Sequence, residues 1–154
     1  MTPDLRSGRY AASTGRSDAA RLASKHALAA LEAALGAPTP GREQQWLVDV
    51  TASLDEFVAT LADPEASEVD LLAEIADNEP RFRHRIDRLR NELDDLIASA
   101  RSLREQIQSP PQEPVDTADI RDRLAGITRR YRQYRAREAD LVFEAINVTL
   151  GSSG

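Results

Sequence analysis

Apolar residues recur near the end of the chain at alternating steps of four and three. They are Ile120, Leu124, Ile127, Tyr131 and Tyr134, then Glu138, then Leu141 and Ala145. Such spacing marks one apolar face of an α-helix. Three earlier stretches carry the same pattern. Leu28, Leu31 and Leu35 predict a helix from about Asp18 to Leu35, with Ser17 as N-cap and Gly36 as stop. Leu47, Val50, Leu54, Phe57 and Leu61 predict a second, opening at Pro40 with Thr39 as its cap. Phe82, Ile86, Leu89, Leu93, Leu96, Ala100, Leu103 and Ile107 predict a third that follows Asn78 and holds Pro80 in its first turn. The fourth opens near Asp116 and carries the stripe that contains Glu138.

Between the second and third stretches, Ser67-Glu68-Val69-Asp70 matches a capping box and precedes Leu71, Leu72 and Ile75. It predicts a short connector helix. The acids from Asp63 to Glu79 read as a solvated face of that connector. The proline-rich run Ser109 to Pro114 is a loop. No segment reads as a strand. The predicted fold is all-α, an antiparallel up-down four-helix bundle with a connector helix between helices two and three. It spans residues 17–150, with a flexible N-terminal tail at 1–16 and a C-terminal tail at 151–154.

Composition narrows the function classes. The chain has 154 residues, one domain by length. It lacks cysteine, which removes disulfides, thiolate metal sites and a Cys nucleophile. The first residues hold arginines but no apolar segment, so they do not read as a signal peptide. No stretch approaches the roughly 20 apolar residues of a membrane span. A cytoplasmic protein without a membrane partner is the expectation. The net charge of −6 argues against nucleic acid as the main partner. Arginines are dense on the fourth helix, but at about 100° per residue Arg130 and Arg137 point one way and Arg132 and Arg135 nearly the opposite. They read as flanks of a buried stripe, paired with acids. The expected partners are an unknown protein or a second copy of the chain. Trp46 is either core or an exposed anchor, and Tyr10 has no evident partner.

Glu138 is the position where chemistry enters. A carboxylate on a core stripe is costly unless it is paired. A metal reading needs further His, Asp or Glu on the stripes. His26 and His84 each lie two residues from a stripe position, so both read as surface histidines. No His accompanies a stripe Ser, and no Gly-rich phosphate loop is present, so an enzyme is not expected.

Four segments resemble the hemerythrin-like, or HHE cation-binding, family. They are Gly41 to Trp46, Leu71 to Ile75, His84 to Glu92 and Arg137 to Ala145. The resemblance implies two irons held by histidines and carboxylates from four helices. Carried over by stripe position, the histidine slots fall on Ser24, Pro64, Leu93 and Tyr134, and two carboxylates, Glu68 and Glu138, remain. The expectation is a degenerate site lined by Ser24, Glu68, Leu93, Tyr134 and Glu138, with no metal and no cofactor. The alternative is a metal-binding protein for iron or another divalent cation, using Glu68, Glu138, Tyr134 and His26 in oxygen or metal handling. Without metal, the Tyr134 hydroxyl is expected to donate to Glu138 in a polar network, with Ser24 a third member and Arg135 and Arg137 flanking. The competing reading rotates the helix and leaves Glu138 at the bundle edge.

Overall fold

The computed structural model describes residues 10–63, 67–108 and 116–151. Among them the chain is helical almost throughout and contains no strand. Five α-helices follow in order: α1 (Ala11–Gly36), α2 (Glu43–Leu61), α3 (Ser67–Asn78), α4 (Arg83–Gln108) and α5 (Thr117–Gly151). A single 3-10 turn, Pro80–Phe82, leads into α4. Among the described residues no helix is long and apolar enough to cross a membrane.

Helix boundaries follow local chemistry. At the start of α5, the backbone N–H of Asp119 donates to Asp116 Oδ1 at 3.2 Å, so Asp116 caps the helix as its position predicts. Helix α2 opens later than expected. Pro40 and Gly41 form a turn instead, closed by Arg42 N–H donating to the Thr39 carbonyl at 2.8 Å. Gly41 has φ of 73°, which a turn with Pro at its second position and Gly at its third requires and a helix forbids. The helix therefore begins at Glu43 and not at Pro40. It ends at Leu61, just ahead of Pro64. The α2–α3 connection beyond Asp63 and the Ser109–Val115 loop lie outside the described residues.

The expected start of α1 is corrected too. It runs from Ala11, so Ser17 is not an N-cap and the tail boundary at residue 16 falls inside the helix. Tyr10, at its head, is 2% exposed and belongs to the core. Stepping back from Leu35 by alternating fours and threes passes Leu31, Leu28 and Ser24, reaches Arg21, and after further such steps lands on Tyr10. The stripe continues after its apolar residues stop. At the other end, α5 runs through Gly151, one residue past the expected boundary.

Each predicted stripe faces the interior. On α5, all eight positions from Ile120 to Ala145 are buried, Glu138 among them at 1% exposure. Helix α1 packs chiefly on α2 and α3, and α4 on α5 and α2. Helices α1 and α5 touch more sparsely. Phe57 of α2 meets Tyr131 of α5 edge-on, with ring centroids 5.0 Å apart. Such aromatic pairs add about 1 kcal/mol beyond their buried area. Trp46 is a core residue at 1% exposure. The Arg121 guanidinium lies 5.0 Å from the centre of the Trp46 ring. Its nitrogens also donate to the carbonyls of Leu35 and Ala37, at the end of α1. A cation there satisfies orphan carbonyls and complements the helix dipole.

Ion pairs fasten the flanks of the stripes. Arg137 pairs with Glu92 at 2.6 Å, Arg85 with Glu144, Arg104 with Asp55 and Arg132 with Glu32. Arg130 and Arg137 face α4, whereas Arg132 and Arg135 face α1, the division that helical geometry predicts.

Candidate functional site

The site is the surroundings of Glu138, where α5 faces α1. Glu138 occupies a stripe position because α5 continues without a break from Tyr131 to Leu141. Its side chain is 2% exposed. Both oxygens are engaged. The Tyr134 hydroxyl donates to Oε2 at 3.2 Å, from one turn earlier on the same helix. Arg135 Nη1 donates to Oε1 at 2.8 Å. Arg21 Nη2, on α1, stands 3.3 Å from the same oxygen.

The two arginines reach Glu138 from the edge of the stripe. Their side chains are 27% and 20% exposed for Arg21 and Arg135. The aliphatic stems lie along the protein while the guanidinium groups bridge the buried oxygen and the surface. Arg135 also sits 5.9 Å from the centre of the Tyr131 ring, and Tyr131 stacks on Tyr134 at 6.4 Å. Carboxylate, guanidinium and rings thus form one connected patch. Charge-assisted hydrogen bonds of this kind contribute about 1.5–3 kcal/mol each, which offsets the cost of burying the carboxylate.

The expected network is therefore present in its main pair, Tyr134 with Glu138, and in the flanking Arg135. Glu138 is buried and does not lie at an exposed edge of α5. Arg137 turns away to Glu92. Ser24 is buried at 4% exposure on the α1 stripe, one turn from Arg21. Leu93 is half-buried on α4 and packs against the core. The side chain of Glu68, and Pro64, lie outside the described residues. His26 and His84 are exposed, as their distance from the stripes predicts.

Arg21 was not foreseen. The signal was available in the α1 stripe, where the step before Ser24 falls on Arg21. It was hidden because an arginine does not look like a core residue.

Chemically, the arrangement is closed. A divalent cation at Glu138 would stand beside two guanidinium groups, and like charges at such range oppose its binding. Among the described residues no three His, Asp or Glu side chains converge as a metal-holding group. No family model, curated protein or solved structure matches the chain.

Proposed function

We propose that the chain is a non-enzymatic scaffold or interaction protein whose helices form an antiparallel four-helix bundle with α3 as connector. In this reading it has hemerythrin-like ancestry and a degenerate site, in which internal ion pairs replace the metal. The observation that carries the proposal is that Glu138 Oε1 lies within 3.3 Å of two arginines, from α1 and α5. Guanidinium groups supply the positive charge that a cation would otherwise bring. The helix order and the placement of Ser24, Leu93, Tyr134 and Glu138 on the stripes support the same reading. The role is structural, regulatory or interaction-based, in the cytoplasm, with a protein or a second copy of the chain as partner.

Elemental analysis of the purified protein, with an absorption spectrum, tests it. The expected result is far less than one metal ion per chain and no absorption beyond the aromatic residues. Two irons per chain with near-ultraviolet oxo-bridge bands would overturn the proposal in favour of a metal-handling protein.

A further inference from the structure

Where α1 and α5 draw apart, a groove of about 450 Å³ opens. That lies within the roughly 300–1,000 Å³ typical of small-molecule sites. Its floor is apolar. Leu28 and Tyr131 are buried beneath it, and Leu22 on its wall is 53% exposed, one of the few large apolar side chains left in water among the described residues. Its rim is cationic. Arg21, Lys25, Arg132 and Arg135 line it, against Asp18 as the acid in the lining. Even with Glu138 behind Arg21 and Arg135 and Glu32 beside Arg132, four cations face three acids here, whereas the whole chain carries a net charge of −6.

We infer that the groove between α1 and α5 binds an amphiphilic organic anion, a carboxylate carried on a short acyl or aryl body. The apolar floor takes the body and the cationic rim takes the carboxylate. An inorganic anion would leave the floor unused, and a neutral apolar molecule would leave the rim unused. Two of the cations are already positioned. Arg21 and Arg135 are held by Glu138 from below, so less side-chain freedom is lost when a ligand arrives. Arg21 also pairs with Asp18 at 3.6 Å, a second contact that fixes its guanidinium at the rim. Lys25 and Arg132 stand on the rim outside the Glu138 contacts, and Arg132 pairs with Glu32. These two can be altered without touching the buried carboxylate.

Titration calorimetry of the full chain with decanoate, below its micelle concentration, tests the inference. The expected result is saturable binding of one decanoate per chain, weakening as salt rises. Lys25→Glu with Arg132→Glu should reduce affinity by at least about tenfold, because two favourable charges become unfavourable. Lys25→Gln with Arg132→Gln, which spares Glu32 a new repulsion, should reduce it in the same direction if the reversed pair fails to fold. Phe143→Ser, at an exposed apolar side chain outside the groove lining, should leave affinity unchanged. Absence of saturable heat, full affinity in the folded rim variants, or loss of binding in Phe143→Ser would each overturn the assignment.

Discussion

Arg21 of α1 reaches Glu138 of α5 at 3.3 Å, and this contact joins two helices that otherwise touch sparsely. Arg135 approaches the same oxygen at 2.8 Å from within α5. The two contacts do different work. Arg135 satisfies the carboxylate locally, whereas Arg21 couples it to another helix. Arg21→Leu should lower stability by about 1 kcal/mol, since the lost contact is charge-assisted but more than a quarter exposed. That corresponds to a fall in Tm of about 3 °C for a chain of this size. Arg135→Leu should cost more, because it removes the shorter and less exposed bond together with the contact over Tyr131. Thermal unfolding of both variants gives the order, and a larger loss at Arg21 would contradict it.

Arg121 holds the end of α1 to α2 and α5. It donates to the Leu35 and Ala37 carbonyls and covers the Trp46 ring. Arg121→Ala should cost about 1–2 kcal/mol by releasing the terminal carbonyls and the ring contact. Trp46 is the single tryptophan, so its fluorescence reports the change directly. A red shift of emission with little loss of helical signal is expected. An unaltered emission maximum would show that Arg121 does not seal the ring.

The Arg85–Glu144 pair ties α4 to α5 at the surface. The hydrogen bond from Arg85 holds the Glu144 carboxyl below its ordinary value, with desolvation acting the other way and the charges of Arg85 and Arg81 adding to the lowering. A carboxyl lowered in the folded state binds its proton more readily when unfolded. Its contribution is thus fully present above the ordinary carboxylate value and is lost as pH falls through the folded value. The exposed pair contributes little in any case. Wild type should exceed Glu144→Gln slightly in urea midpoint at neutral pH, and the gap should close in acid. A gap that widens on acidification would reverse the assignment.

Much of the fold was legible because the stripes are regular. Every α5 stripe position from Ile120 to Ala145 is buried, and so are Leu47, Val50, Leu54, Phe57 and Leu61 on α2. The early start of α1 was not legible. Gly8, Ser13, Thr14 and Gly15 interrupt any apolar rhythm, and Tyr10 stands too far from Leu28 for the period to connect them by eye. The start of α2 was misread for a different reason. Pro is favoured both at the first position of a helix and at the second of a turn, and only the positive φ of Gly41 separates the two. At the site, Tyr134 and Glu138 were visible as stripe neighbours. Arg21 was not, because its long side chain lets an arginine hold a stripe position while its charge reaches the surface.

The central claim is that Glu138 is a structural carboxylate held by its cationic partners. Glu138→Leu tests it most directly, by urea unfolding at neutral pH and low salt. The substitution supplies the apolar residue that the stripe calls for, yet it strands the Tyr134 hydroxyl and leaves Arg21 and Arg135 without their acceptor. The account predicts a loss of about 2–3 kcal/mol, since removing one member of a buried pair leaves the others uncompensated. Equal or greater stability in Glu138→Leu would contradict it, and would mean that the carboxylate is retained for something other than holding the fold.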